Sequence, residues 1–506
     1  MDFPNRLDNT NGNQRDSWND EIEEFLGKPQ SPSQNSISIE FDDDALQSSL
    51  EVVALELQKQ LAASTKNCEI DECDGNVGRV VRTGKNLLRW YIQIYLEQRQ
   101  VQRQRQKSQD GCKINVLRLP DTLSSVVRIL KWSVEIIKNL KLARDASLYI
   151  FYATYSHFPG DGSASRGMDH LITQLGFPQT SLEILMKADS VPLALSLVRN
   201  LHSMAVSFPG APRSILDAQV RCDSSVTTQS APWAPKEPSS INFSLSCLAL
   251  MRWSLDTQST FPSDNPEDKR VELVVEILSC FYVMRKGQEL VASSSGNTMN
   301  DDNPCLENVI IRILQLTFPA QSDNENSDEI VSKRIEQCKL SAVSLLIDSD
   351  ASFGKYLLEN GSFETLLEIL KRQVDDIVDN TKVDSTATAA LVPILVVLNK
   401  YSMADSVVQQ QVKAFVFPIE RENIFQQNIK ENGKTKMSPL DAPKDTLRGK
   451  LVVLLSWVDG YIKRCSAELM WTLCDSDSFE FTRRVGLGNA LPLLNSKGLS
   501  PVPIPS

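Results

Sequence analysis

Two distant stretches of this chain carry one pattern. Ser341-Ala-Val-Ser-Leu-Leu-Ile-Asp-Ser-Asp, followed by Phe353, Tyr356, Gly361 and Leu366 to Leu370, returns as Ser466-Ala-Glu-Leu-Met-Trp, then Asp475-Ser-Asp, Phe479, Phe481, Gly486 and Leu491 to Leu494. The offset of 125 to 127 residues is three times about 42, inside the ~40–47 range of armadillo and HEAT repeats. In such arrays each unit is a small helical hairpin that cannot bury its apolar face alone, so neighbours must stack. A third copy is read from Gly167, where Gly-Met-Asp-His-Leu-Ile-Thr-Gln-Leu parallels Gly361-Ser-Phe-Glu-Thr-Leu-Leu-Glu-Ile-Leu. The glycine is expected because a side chain would obstruct the sharp turn between helices.

The spacing inside the copies is helical. Phe363, Leu366, Leu367 and Leu370 recur at i, i+3, i+4 and i+7, and the sets Cys338, Ala342, Leu345, Leu346 and Ala467, Met470, Trp471, Cys474 keep the same period. Leu469 and Leu473 add a second apolar edge to the last helix, which suits a helix sandwiched between neighbours. Strand-like alternation is almost absent. The expected fold is all-α, an armadillo- or HEAT-like helical-repeat superhelix, broken by polar stretches near 62–78, 104–114, 207–240, 257–268, 293–304, 320–328 and 421–445.

Charge is unevenly spread. The 506 residues include 64 acidic and 53 basic side chains, a net −11, and 41% apolar residues, ample for a core. Residues 1–44 alone hold 11 acidic and 3 basic side chains, or −8. A head of that composition buries too little apolar area to offset chain entropy, so residues 1–40 are predicted to be disordered. The repeats are then expected over 41–420, a loop over 421–445, a C-terminal repeat over 446–495 and a disordered tail over 496–506. The longest apolar runs, Leu391 to Leu398 and Leu451 to Val458, fall short of the ~20 residues of a membrane-spanning helix. The first residues show neither a basic start nor an apolar stretch, so a soluble chain that stays inside the cell is expected.

Several chemistries are poorly supplied. The ten cysteines contain no Cys-x-x-Cys pair, so neither a disulfide framework nor a zinc site is expected. The three histidines, His157, His170 and His202, sit in no His-Glu-x-x-His pattern. Gly78 to Lys85 fails the phosphate-loop spacing, with Asn86 where a Ser or Thr would hold magnesium, and Gly486-Leu-Gly-Asn-Ala-Leu lacks the third glycine of a dinucleotide turn. No cofactor is expected, and an ordinary enzyme is not. Nucleic acid is disfavoured by the acidic balance and by the lack of aromatics in the one dense basic run, Arg99 to Lys107, read as a solvated helix end. What remains is a binding surface for a helix or peptide of a partner. The Trp-x-x-x-Asn ladder of armadillo import carriers is absent, since Trp90, Trp132, Trp253, Trp457 and Trp471 are followed at i+4 by Ile94, Ile136, Thr257, Tyr461 and Asp475.

The C-terminal repeat is more specific. Asp445-Thr-Leu-Arg-Gly-Lys-Leu-Val, then Asp459, then Lys463-Arg-Cys-Ser-Ala-Glu-Leu-Met-Trp-Thr-Leu-Cys, then Gly486-Leu-Gly-Asn-Ala with Leu493-Leu494, resembles the synembryn family, exchange factors and folding chaperones of heterotrimeric G-protein α subunits. The likeness is strong over Asp445 to Leu494 and weaker back to Phe41-Asp-Asp-Asp, with the proline-bearing helix Ala390 to Leu398 also similar. Leu487, Val485, Arg484 and Leu491-Pro492 depart from the Tyr, Thr, second Tyr and Ala-Gly of the family pattern. The resemblance implies an armadillo-like fold without covalent catalysis and a monomer in the cytoplasm, extending to the cell cortex or the inner face of the plasma membrane. The implied partner is a G-protein α subunit, GDP-bound or nucleotide-free, whose C-terminal helix the concave surface would hold. The family continues beyond this repeat into a segment that touches the α subunit's switch region, so binding without full exchange activity is expected of this sequence. The alternative is a repeat scaffold with an unrelated partner.

The residues that the resemblance nominates for partner contact are Arg448, Lys463, Arg464, Glu468, Arg483 and Asn489. Each has a structural reading too. Arg464 and Glu468 are four apart and can pair along a helix. Arg483 and Arg484 end a helix, where cations complement the dipole. Asn489 can cap the next helix, and Met470 and Trp471 belong in the core.

Overall fold

The computed structural model describes residues 88, 120–135, 139–154, 167–208, 210–221, 231–234, 240–256, 268–287, 306–317, 325–379, 385–418 and 445–499. They fall into two compact units, one holding the described residues up to 309 with 325–334, the other holding 310–317 and 335–499. The head over 1–40 and most of the loop over 421–445 lie outside the described residues. At the other end, the last helix and its closing turn run to Leu499, past the Ser496 where the sequence alone starts the tail.

The first unit contains α1 (Pro120–Glu135), α2 (Leu140–Thr154), a π-helical turn (His170–Gln174), α3 (Phe177–Lys187), α4 (Val191–Ser207), α5 (Ala211–Asp217), strands β1 (Gln219–Arg221) and β2 (Ser240–Asn242), α6 (Phe243–Asp256) and α7 (Arg270–Gly287). The stretch 207–240, read as a polar break, thus holds a short helix and a strand. β1 and β2 pair antiparallel with Val220 opposite Ile241, a two-stranded addition to an otherwise all-α fold. α4 starts where the Ser190 side chain accepts the Leu193 N–H, with a proline in the first turn that needs no partner for its nitrogen. It packs against both α2 and α7, so its polar residues are buried too and must find partners inside. Asn200 Nδ2 donates to the Ser147 carbonyl at 2.9 Å, and Ser196 Oγ donates to Ser147 Oγ at 2.8 Å. Glu276 on α7 meets His202 and lies 3.7 Å from Arg199.

Beyond α8 (Leu306–Leu314), the second unit repeats one arrangement: a long helix, a corner, a short helix and a third helix. The groups are the C-terminal part of α9 (Glu325–Leu346) with α10 (Phe353–Glu359) and α11 (Phe363–Asp379), then α12 (Ser385–Ala404), α13 (Ser406–Val416) and α14 (Leu447–Leu454), then α15 (Gly460–Leu473), α16 (Ser478–Val485) and α17 (Leu487–Ser496). The long helices end at Leu346, Ala404 and Leu473, 58 and 69 residues apart. The sequence offset therefore covers two groups, not three of about 42, because the second is lengthened by the chain between Val416 and Leu447.

Gly176, Gly361 and Gly486 have φ of 55°, 69° and 84° and stand just before α3, α11 and α17. A Cβ on Gly176 or Gly361 would meet nothing within 4 Å, so the requirement is the left-handed backbone and not room for a side chain. Gly167 lies inside a helical turn. Gly176, nine residues on, is the counterpart of Gly361, which shifts the third copy.

The last carbonyls of a helix have no partner within it, and here side chains from neighbouring helices supply donors. Lys400 Nζ on α12 donates to the carbonyls of Leu346 and Ile347, both at 2.9 Å, at the end of α9. Gln409 Nε2 on α13 donates to the Thr472 carbonyl at 2.6 Å, at the end of α15.

Candidate partner-binding surface

The C-terminal group begins with Asp459, whose carboxylate accepts the N–H groups of Tyr461 and Ile462 and so starts α15. Along that helix Ile462, Ser466, Ala467 and every residue from Leu469 to Leu473 are buried, the sandwiched helix that the second apolar edge predicts. Two residues at its end, Asp475 and Ser476, are left-handed with φ of 56° and 57°. Their strain is held from α13, where Gln409 and Lys413 bond the Asp475 carboxylate. Asp477 then caps α16, accepting the Phe479 N–H at 2.8 Å.

The nominated residues divide by what they touch. Arg448 Nη2 donates to the Arg484 carbonyl at 3.0 Å, and Asn489 Nδ2 donates to the Val485 carbonyl at 2.9 Å. Both therefore close the C-terminal end of α16. Asn489 works backwards onto the preceding helix and does not cap its own. Glu468 accepts Lys497 Nζ from beyond α17 at 2.9 Å, and among the described residues no ion pair joins it to Arg464. Arg483 is exposed and forks onto Glu480 at 2.7 and 2.8 Å. Lys463 is half-buried and Arg464 exposed on α15. Of the six, Lys463 and Arg464 are the cations whose side chains make no hydrogen bond or ion pair among the described residues.

Residues outside the nominated set hold the same surface. Arg484 is buried with its guanidinium 4.1 Å from the Phe417 ring centre, a cation–π contact, and its Nε on Glu480. Lys450 is buried and donates to Asp375 at 2.7 Å and to Asp379. Burial alone would lower its pKa, yet these carboxylates carry it above the usual lysine range. Neither contact was visible in the sequence, since Lys450 lies 75 and 71 residues from its partners. The five described cysteines are free thiols, and burial pushes Cys474 up to about 12 and Cys465 up to about 11.

The hydrogen bonds from Arg483, and then Arg484, hold the Glu480 carboxyl down at about 2 against the opposing effect of burial. A folded pKa below the unfolded one gives stability that is present above about pH 4.5 and is lost as pH falls towards 2. Glu480→Gln is accordingly expected to melt below the parent at pH 6, with the gap closing between pH 4.5 and 2. Thermal melts across that range check this, and a gap independent of pH would show that the carboxylate charge contributes nothing.

Among the described residues no group of three or more His, Cys, Asp or Glu could hold a metal ion. Ser124 Oγ and His170 Nε2 lie 2.8 Å apart, but no carboxylate contacts that ring among the described residues, so the pair lacks the orienting member of a triad. No described helix is long and apolar enough to cross a membrane.

The class that this architecture defines is the armadillo-like helical-repeat proteins. Residues 220–503 match the family described as guanine nucleotide exchange factor synembryn, more than half of the chain, and the chain belongs to that family. It is 26% identical to the Chaperone Ric-8A of Xenopus laevis over 245 residues, 46% of this chain and 39% of that protein. The Xenopus tropicalis Chaperone Ric-8A gives 27% over 245 residues with the same coverage. The Gallus gallus protein of that name gives 40% over 55 residues, 11% of this chain and 10% of its own length. The chain thus spans about two fifths of the length of the frog relatives it matches.

Proposed function

We propose that this chain binds heterotrimeric G-protein α subunits and acts on them as a guanine-nucleotide exchange factor, a folding chaperone or both, as a monomer in the cytoplasm. The observation that carries this reading is the family match over 220–503, which takes in the three helix groups of the second unit from α9 onward. Exchange by such a protein needs no covalent step. A factor that prefers the nucleotide-free α subunit must weaken nucleotide affinity by the same coupling free energy with which the nucleotide weakens its own binding.

The contact is assigned to the part of α15 around half-buried Lys463 and exposed Arg464, with Arg448 and Asn489 acting as supports. Purified chain should capture a GDP-loaded α subunit and release it on addition of a GTP analogue with magnesium. Arg464→Glu should weaken capture roughly tenfold with an unchanged melting temperature, whereas Arg448→Ala should lower the melting temperature first. Fluorescent-nucleotide release from the α subunit, with and without the chain, measures exchange directly. Failure to bind any α-subunit class would refute the reading and leave a scaffold for another partner.

A further inference from the structure

Side chains tie the corner between each long helix and its short helix to the neighbouring group. The Lys400 bonds to the Leu346 and Ile347 carbonyls, together with a 2.6 Å hydrogen bond between Ser349 Oγ and the Tyr401 hydroxyl, fix the α9–α10 corner beside α12. Gln409, bonded to the Thr472 carbonyl and to Asp475, fixes the α12–α13 corner beside the α15–α16 corner. At these corners Met403 is 71%, Val407 56% and Phe479 37% exposed. Val407 and Phe479 hold equivalent places, each two residues after the aspartate that caps its short helix, Asp405 and Asp477. A single exposed apolar side chain is ordinary. The same position is left apolar in the second and third groups, and Met403 adds a further exposed apolar side chain two residues before the Asp405 cap.

Carboxylates stand at the same corners: Asp348 and Asp350 at the first, Asp405 at the second, Asp475 and Asp477 at the third. The cations packed against these corners are already committed, Lys400 to helix carbonyls beside Asp350, Lys413 to Asp475 and Arg483 to Glu480. The corners thus combine exposed apolar side chains with carboxylates.

We infer that these corners dock a cationic amphipathic helix of a partner protein, its apolar side chains covering Met403, Val407 and Phe479 and its Lys or Arg residues facing Asp348, Asp350 and Asp477. Charge complementarity selects the occupant. A second copy of this chain brings the same carboxylates, and an anionic membrane is repelled by them. The surface is separate from Arg464, nine residues up α15 from Leu473 or about 14 Å along the helix, so the inference goes beyond the α-subunit reading.

The test uses the full chain and a fluorescent helical peptide of about 18 residues, with Leu on one face and Lys on the other, beside its Lys→Glu counterpart. The Lys peptide should bind, more weakly as salt rises, and the triple variant Met403→Ser, Val407→Ser, Phe479→Ser should weaken it roughly tenfold or more at unchanged circular dichroism. If the triple variant loses its helical signal, Met403→Ser alone serves, with about threefold weakening expected. Equal binding by parent and variant overturns the inference, as does equal binding of the Glu peptide. So does a dimer in sedimentation that the variant abolishes, or preferential binding of phosphatidylserine vesicles. Arg464→Glu should leave peptide binding unchanged and the triple variant should still capture the α subunit, so either reading can fail alone.

Discussion

Phe481→Ala should cost about 3 to 5 kcal/mol of folding stability, the range for deleting a fully buried aromatic. Phe481 is completely enclosed, its ring set edge-on to Trp471 with centroids 5.5 Å apart at 84°. Such a pair adds roughly 0.5 to 1.5 kcal/mol beyond the area it buries. The short helix that carries it is too small to persist by its own hydrogen bonds, since isolated helices below ~12–15 residues are marginal in water. α16 is eight residues long, so its attachment depends on Phe481, Val485 and the Arg484 contact with Phe417. Urea unfolding followed by tryptophan fluorescence should show the midpoint falling, with hydrogen exchange accelerating first in α16 and α17. Phe479→Ala, two residues away but exposed, should stay within about 0.5 kcal/mol of the parent. Similar losses for the two would mean that α16 is not anchored by this ring.

That contrast marks how far the sequence can be read. Phe479 and Phe481 serve equally well as landmarks of the repeat, and only the direction of the Asp477 cap decides which faces the core. Helical period locates α9, α11 and α15 and their buried faces because each is long enough for the pattern to recur. The number of groups between the two copies is not legible in their spacing. Distance along the chain does not distinguish a third helix group from the lengthened connection between α13 and α14. The neighbours of Gly167 match those of Gly361 in hydropathy, whereas the left-handed φ belongs to Gly176. The candidate surface was legible only as a motif. Resemblance brought forward Arg448 and Asn489, and the folded chain uses both to satisfy carbonyls at the end of α16, a need that arises only once that helix has an end. Lys450, with carboxylate partners more than 70 residues away, had no local signal at all.

Gly354→Ala should destabilise the fold by at least about 2 kcal/mol, although the same change in an open helix is favourable. Glycine inside a helix costs roughly 0.5 to 1 kcal/mol relative to alanine, so propensity alone argues for a gain. Space decides otherwise. A Cβ at Gly354 would lie 2.6 Å from both Cβ and Cγ of Tyr401, and the Cβ is fixed to the α12 backbone, so no rotamer can move it aside. The ring is fully buried and its hydroxyl is fixed 2.6 Å from Ser349 Oγ, so α10 and α12 must separate. Overpacking of that kind costs typically 1 to 3 kcal/mol, and here the separation also strains the Lys400 bonds that close α9. Gly488 in α17 provides the control: a Cβ there meets nothing within 4 Å and its backbone is not left-handed, so Gly488→Ala should be neutral or stabilise by up to about 1 kcal/mol. Equilibrium unfolding of the two variants should therefore move in opposite directions. A Gly354→Ala protein as stable as the parent would show that α10 shifts away from Tyr401 without cost, and that the close approach of these two helices does not fix the corner between α9 and α10.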